Sequence, residues 1–216
     1  MRRITVKGTG RASVKPDLIV ISLELRTSRY KYDDTMKLAG EASQDLLEVV
    51  LQEGFDKDDL KTTNFNVETI SKSYKDAQGN YQRRFAGYEC QQNFRLEFAL
   101  DFDRLSEVLS AIAKAPVKPV FDIRFTVKDS TKVSEELLRN AAENAKEKAE
   151  ILADASGVKL GEIIDIDYSW GRIDLYSRSD YRLYDSNVKM AAEDTPHIVP
   201  EDIDVSDEAT FVWEIH

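Results

Sequence analysis

The pattern of apolar and polar residues alternates along the chain between the period of a helix and the period of a strand. The clearest helical stretch is 134–157. Its apolar positions recur at three- and four-residue steps: Leu138, Ala142, Ala145, Ala149, Leu152 and Ser156. Leu137, Ala141 and Ala153 widen this small face, which predicts that the helix lies close against the surface it covers. Gly157 is placed to adopt the left-handed conformation just past the helix end.

Other segments show equally simple patterns. Helices are predicted at 32–53 and around Leu105, where Asp101 or Asp103 can cap the first turn. Strands are predicted at 18–25, 62–74, 81–100, 121–127, 162–168 and 207–215. The strands 62–74 and 81–100 flank the turn signal Ala77-Gln-Gly-Asn80, and strands this long would form a protruding hairpin.

The order of these elements repeats once. Strand 18–25, helix 32–53 and the two hairpin strands form one β-α-β-β series, and strand 121–127, helix 134–157 and strands 162–168 and 207–215 form another. The predicted fold is therefore α+β, with two β-α-β-β units whose helices pack on antiparallel sheet. The two units could each form their own sheet or pool their strands into one. We expect a single domain over 1–216, with sub-units of roughly 1–100 and 101–216 and an irregular insertion at 171–204.

The irregular insertion is rich in tyrosine and arginine and shows no sustained period. Tyr and Arg are enriched at the energetic centres of interfaces, so this segment is either an interface or a disordered excursion. The hairpin adds aromatic side chains at Phe94 and Phe98, and a long two-stranded ribbon needs a surface to pack on. The candidate interface residues are Tyr81, Phe85, Tyr88, Tyr176, Arg178, Tyr181, Arg182 and Tyr184.

Composition narrows the classes of partner. A net charge of −10 over 216 residues argues against nucleic acid, which is bound through clustered Lys and Arg. No run approaches the roughly 20 apolar residues of a membrane span, and the first residues resemble a strand and not a signal peptide, so the chain as given is expected to be cytoplasmic. The single cysteine, Cys90, cannot form an internal disulfide.

Candidate catalytic chemistry is sparse. Gly8-Thr-Gly10 leads into Pro16-Asp17 and a strand, so a bulge or tight bend is favoured over a phosphate loop. The chain has two histidines, His197 and His216, and His216 is the last residue of the sequence. A hydrolytic site would therefore depend on His197. Cys90 is expected to be a buried structural thiol, since no basic neighbour in sequence would lower its pKa.

Two acidic groups could be considered for metal binding. One is Asp56, Asp58 and Asp59, and the other extends from Glu201 to Glu208. Neither has the spacing of a calcium loop, so solvated acidic turns are expected. No metal, cofactor or catalytic residue is predicted.

Three segments carry a resemblance to a known family. They are the opening Ile4-Thr-Val-Lys-Gly-Thr-Gly-Arg with Lys15-Pro-Asp17, the helix from Arg139 to Ala153 with Gly157-Val-Lys-Leu-Gly161, and the closing Val199-Pro-Glu-Asp-Ile-Asp-Val205. Together, in this order, they resemble the SIMPL family. Glu201 stands where the family usually has glycine. The resemblance implies dodecin-like β-α-β-β units, hollow oligomers in some members, export to the periplasm or envelope in many, and an association with stress tolerance and signalling.

Pattern and resemblance together predict a non-enzymatic bacterial protein that acts as a homo-oligomer or binds a protein partner. A carrier of a small apolar ligand, as in dodecin-like folds, is the alternative, and an unrecognised hydrolase is the third hypothesis. The resemblance provides no catalytic motif that could be carried over to this chain.

Overall fold

The fold is given by a computed structural model, which describes residues 2–75, 79–168, 173–183 and 199–216. Its elements in chain order are β1 (Arg3–Val14), β2 (Leu18–Arg29), α1 (Tyr32–Gln52), β3 (Lys61–Lys75), β4 (Tyr81–Ala99), α2 (Phe102–Lys114), β5 (Val120–Thr126), α3 (Ser130–Ala155), β6 (Leu160–Asp167), β7 (Tyr176–Leu183) and β8 (Ile203–Ile215). These residues form two antiparallel sheets, with strand orders β1-β8-β6 and β3-β4-β2-β5-β7. The α+β class is confirmed.

The chain divides into two compact units. The first contains Met1–Asp17, Phe125–Ser179 and Pro200–His216, and the second contains Leu18–Arg124 and Asp180–Val199. The prediction of a single domain stays a prediction.

In the first unit, helix α3 lies directly on strand β1. Its buried residues follow a strict four-residue step: Val133, Leu137, Ala141, Ala145, Ala149 and Ala153. A Cβ added at Gly8 would collide with the Ala141 carbonyl oxygen and lie 2.7 Å from the Ala145 Cβ. A Cβ at Gly10 would collide with the carbonyl oxygen of Leu137. Helix and strand therefore approach so closely that only glycine fits beneath the helix.

This close approach corrects two predictions. Gly8 and Gly10 form neither a bulge nor a bend, because β1 pairs with β8 in unbroken register from Arg3 to Val14. The contact line of α3 also differs from the predicted stripe: Leu152 and Ser156 are exposed, and Leu138 is only half-buried. From Ala141 to Ala153 every residue of the buried line is alanine, because larger side chains would overpack so close a contact, and Leu152 is exposed.

In the second unit α1 packs against the sheet and contacts α2. Helix α1 contacts β2 and β4, and its residues Ala39, Leu46 and Val50 are buried. Helix α2 begins at its N-cap Asp101, whose carboxylate accepts a hydrogen bond from the Arg104 backbone N–H at 3.0 Å. Of the two candidate caps, Asp101 and Asp103, the structure therefore shows Asp101 as the N-cap of α2.

The strand pairing differs from the predicted repeat. The first β-α-β-β series holds, because β2, β3 and β4 share one sheet with α1 upon it. The second does not, since β5, predicted to join β6 and β8, is a neighbour of β2, and β1 takes the position beside β8. The alternation of apolar and polar residues identifies a strand. It does not identify the strands that pair with it in the sheet, because these lie far away in sequence. The dodecin-like description stays a prediction.

Candidate interaction surface

The β3–β4 hairpin extends beyond the rest of its sheet. Strand β2 pairs with β4 only as far as Arg29 opposite Tyr88. Past that point residues 81–87 of β4 pair with residues 70–75 of β3 and with no other described strand. We call this two-stranded ribbon the arm. The predicted protruding hairpin is confirmed, and almost every described side chain of the arm is exposed.

Four aromatic rings form a cluster at the root of the arm. Tyr30 contacts Phe85, Phe85 contacts Tyr88, and Tyr88 contacts Tyr32, with ring centroids 5.4, 5.3 and 5.6 Å apart. All three contacts are edge-to-face, a geometry that contributes about 0.5–1.5 kcal/mol per pair beyond the area buried. We call these residues the aromatic cluster. They connect the arm to the end of β2 and the start of α1.

A bulge in β4 makes this cluster possible. Ile70 pairs with Gly87 and Ser71 with Phe85, which leaves Ala86 without an opposite residue. Residues three apart in a regular strand point to opposite faces, so the extra residue is what brings Phe85 and Tyr88 to one face. Gly87 has a φ of +136°, and a Cβ there would lie 3.0 Å from the Arg29 carbonyl carbon. Glycine is needed both for this backbone conformation and for the close approach of β2.

The arm exposes more apolar surface than a solvated hairpin needs. Tyr81 is 74% exposed and Tyr30 69% exposed, and Phe85, Tyr74 and Tyr32 are also exposed. Single apolar side chains on a surface are ordinary, but a contiguous group marks an interaction site. The candidates Tyr81 and Phe85 are therefore placed as expected, and Tyr88 is half-buried within the aromatic cluster.

The predicted aromatic face is wrong at two other positions. Phe94 is 5% exposed and belongs to the core, and Phe98 is half-buried against Phe55, with ring centroids 5.5 Å apart. Both lie where β4 pairs with β2, and Phe94 also pairs with Thr62 of β3, so they are part of the sheet and not of the arm.

The charge of the arm is opposite in sign to that of the chain. Residues 70–87 contain four cations (Lys72, Lys75, Arg83 and Arg84) and one carboxylate, whereas the whole chain carries −10. The Lys75 ammonium lies 5.1 Å from the centroid of the Tyr81 ring, a cation–π geometry. The arm is a basic, aromatic ribbon on an acidic protein.

The described part of the tyrosine- and arginine-rich insertion lies apart from the arm in the sheet order. Residues 176–183 form β7, at the opposite edge of the five-stranded sheet from β3, so the prediction of an irregular segment is wrong there. Tyr181 is half-buried and stacks on Phe121 with centroids 6.5 Å apart, Tyr176 is half-buried, and Arg178 is exposed. Polar side chains suit an edge strand, which explains the weak period. The side chain of Arg182 and all of Tyr184 lie outside the described residues.

Two of the three residues considered for catalysis, Cys90 and His216, lie within the described structure. Cys90 is buried, and burial raises the pKa of its thiol, which favours a structural role. His216 is exposed, with Nε2 3.9 Å from the Glu214 carboxylate. His197 lies outside the described residues. Among the residues that are described, no group of three or more His, Cys, Asp or Glu could hold a metal ion.

The acidic groups serve local structure. Asp56 and Asp59 cap a short 3₁₀ helix reciprocally, and the Asp59 carboxylate accepts a hydrogen bond from the Asp56 backbone N–H at 2.9 Å. In the closing segment, Asp207 accepts a hydrogen bond from the Tyr168 hydroxyl at 2.8 Å, and Glu208 pairs with Lys7 at 3.0 Å. Burial and this hydrogen bond raise the pKa of Tyr168, which stays neutral and donates.

A groove of about 490 Å³ lies between α1 and α2. Four carboxylates line it, from Asp45, Glu48, Glu53 and Glu107, with Lys114 as the one cation. An apolar ligand gains little in such a groove, because the carboxylates would lose solvation without compensation. The carrier hypothesis stays a prediction.

The whole chain matches a known family. The model of SIMPL, described as a protein of unknown function (DUF541), matches residues 4–213. This chain belongs to the SIMPL family. The resemblance found in the three sequence segments is thereby confirmed.

Two curated relatives of this SIMPL chain share a name. They are the "26 kDa periplasmic immunogenic protein" of Brucella melitensis biotype 1 and that of Brucella abortus (strain S19). Each is 24% identical over 164 residues, which are 76% of this chain and 65% of the relative. The chain thus spans just under two thirds of the length of these relatives. Their name places them in the periplasm, and the cytoplasmic location expected for this chain stays a prediction.

In the part of the SIMPL chain that the structure describes, no helix is long and apolar enough to cross a membrane.

Sequence patterns located the arm but missed Tyr30 and Tyr32 as members of its aromatic cluster. The available signal was their position between the end of β2 and the first turn of α1, where two exposed tyrosines flank Lys31.

Proposed function

We propose that this protein acts through self-assembly and that the arm and its aromatic cluster form the contact between copies. The observation that carries the proposal is the bulged, two-stranded ribbon with Tyr81 and Phe85 exposed on it and Tyr30 exposed beside Phe85 at its root. Such a ribbon is marginally stable alone in water and gains stability when its apolar side chains are covered.

The charge of the arm favours a second copy as the occupant. Its cations project from a chain of net charge −10, so the field of another copy attracts the arm. Attraction of this kind raises the association rate and selects orientation, while the aromatic side chains supply the buried area. Closed symmetric assembly then covers the arms without open-ended aggregation.

Sedimentation velocity across micromolar concentrations tests the proposal. The protein should sediment as an oligomer, and the double variant Tyr81→Ser, Phe85→Ser should shift toward the monomer. Leu51→Ser is the matched control, because Leu51 is an exposed apolar residue of α1 outside the aromatic cluster. A wild-type protein that remains monomeric, or an oligomer unchanged by the double variant, contradicts the proposal.

The proposal includes no catalytic step. Leaving out a catalytic step is supported by the burial of the Cys90 thiol and by the exposed position of His216. A panel of ester, phosphoester and peptide substrates should show no turnover above that of the His197→Ala variant. A robust activity that this substitution abolishes would require an enzymatic function instead.

A further inference from the structure

A second exposed apolar group lies on the first unit, at strand β6. Within the described residues β6 is an edge strand, hydrogen-bonded to β8 on one side only. Ile163 and Ile166 are each 52% exposed, and Ile164 is exposed as well. The backbone N–H and C=O groups of such an edge are a template for another strand.

Strand β6 is only partly protected as an edge. Natural sheets block their edges with charged side chains, especially lysine, with proline or with bulges, and β6 contains three carboxylates but neither lysine nor proline. Its two register irregularities precede Asp165, and its pairing with β8 is regular from Asp165 to Asp167. The end of the strand therefore presents a regular free edge beside exposed isoleucine.

The charge of β6 selects its occupant. The strand contains Glu162, Asp165 and Asp167 and no cation. Pairing two copies of β6 would bring three carboxylates on each strand together, and like charges across neighbouring strands are destabilising. The edge instead fits an extended, basic partner with apolar side chains.

The arm has these properties. It is extended, aromatic and basic, and beyond the end of β2 its two strands pair with each other and with no other described strand. Lys72 and Arg84 are direct cross-strand partners in the ribbon. Two cations opposite each other are unfavourable in the isolated arm, and carboxylates from a neighbouring strand relieve that repulsion.

We propose that the arm of one copy docks along the free edge of β6 in a second copy and continues its sheet. This inference rests on the proposed self-assembly and identifies the receiving surface. Because arm and edge are different surfaces, the contact is heterologous, and each copy both donates an arm and receives one.

Charge reversal on each side tests the pairing by sedimentation. Asp165→Lys with Asp167→Lys, and separately Lys72→Glu with Arg84→Glu, should each weaken association by about tenfold or more at low salt. Combining all four substitutions in one chain should restore association, since both surfaces are then reversed together. Glu143→Lys with Glu147→Lys is the matched control, with the same charge change on the exposed face of α3 and no expected effect.

The mixed sample gives a second readout. The edge variant keeps a normal arm, and the arm variant keeps a normal edge, so an equimolar mixture offers one wild-type contact and one contact with both charges reversed. Mixed oligomers that contain both variants are expected, although neither variant alone assembles.

The outcomes separate the two proposals. If the edge variant assembles like the wild type while Tyr81→Ser, Phe85→Ser dissociates, the pairing with β6 is wrong and self-assembly through the arm stands. If both reversals dissociate the oligomer and their combination does not restore it, the pairing is also wrong. A monomeric wild type overturns both proposals.

Discussion

The contact between β1 and α3 predicts a specific response to a single added methyl group. In Gly8→Ala the new Cβ would lie 2.7 Å from the Ala145 Cβ and closer still to the Ala141 carbonyl oxygen. Carbon atoms pack best about 3.5–4.0 Å apart, so the helix must move away by on the order of 1 Å along its line of contact. Overpacking of this kind costs about 1–3 kcal/mol.

Thermal unfolding followed by calorimetry measures this cost. For a chain of this length, 1 kcal/mol corresponds to roughly 2–4 °C, so Gly8→Ala should lower Tm by about 2–12 °C. Gly40→Ala is the matched control, because no atom lies within 4 Å of its added Cβ and the residue is exposed within α1. There the same change should stabilise by about 0.5–1 kcal/mol, since glycine weakens a helix interior.

The two substitutions should therefore move Tm in opposite directions. A Gly8→Ala protein as stable as the wild type would show that α3 does not lie as close to β1 as the glycine positions indicate. Equal shifts for both variants would show that chain entropy, and not packing, governs the substitution at Gly8.

Four further substitutions test separate features. Ala145→Leu should lower stability by about 1–3 kcal/mol in urea unfolding through overpacking against β1, and unchanged stability would mean the wrong helix face was assigned. Tyr168→Phe should lose about 0.5–1.5 kcal/mol below pH 10. Because the pKa of Tyr168 is raised, the wild type loses this stabilisation as pH rises above about 10, so urea midpoints of the two proteins should converge there. Asp101→Ala should cost about 1 kcal/mol in urea as α2 loses its cap, and an unchanged midpoint would contradict that role. Gly87→Ala should displace the arm and speed tryptic cleavage, and wild-type cleavage kinetics would refute the bulge argument.

Local pattern predicted the elements well because periodicity is a local property. The helix carrying Ala145 was expected at 134–157 and occurs at Ser130–Ala155, where Asp129 caps its first turn. The hairpin strands were expected at 62–74 and 81–100 and occur as Lys61–Lys75 and Tyr81–Ala99. Side chains that face water or a packed surface in turn produce a regular pattern of polar and apolar residues. This pattern does not depend on which distant segments they pack against.

Three features could not be derived in the same way. The neighbours of Phe121 in its sheet are set by contacts far away in sequence. The bulge at Ala86 changes which side of β4 faces outward, so alternation alone assigns Phe85 and Tyr88 to opposite faces. Strand β7 has so few apolar residues that its period is hidden, and its place at a sheet edge is what allows that composition.

The pairing of β1 with β8 has a consequence for how the protein acquires its structure. Strand β8 is the middle strand of its sheet, yet Arg3 meets Glu214 and Val14 meets Ile203 across nearly the whole sequence. During synthesis β1 and α3 therefore emerge well before β8, the strand that lies between β1 and β6 in the sheet. Contacts this distant in sequence slow folding, so the first unit depends on its early segments staying free of wrong partners until synthesis has passed Ile215.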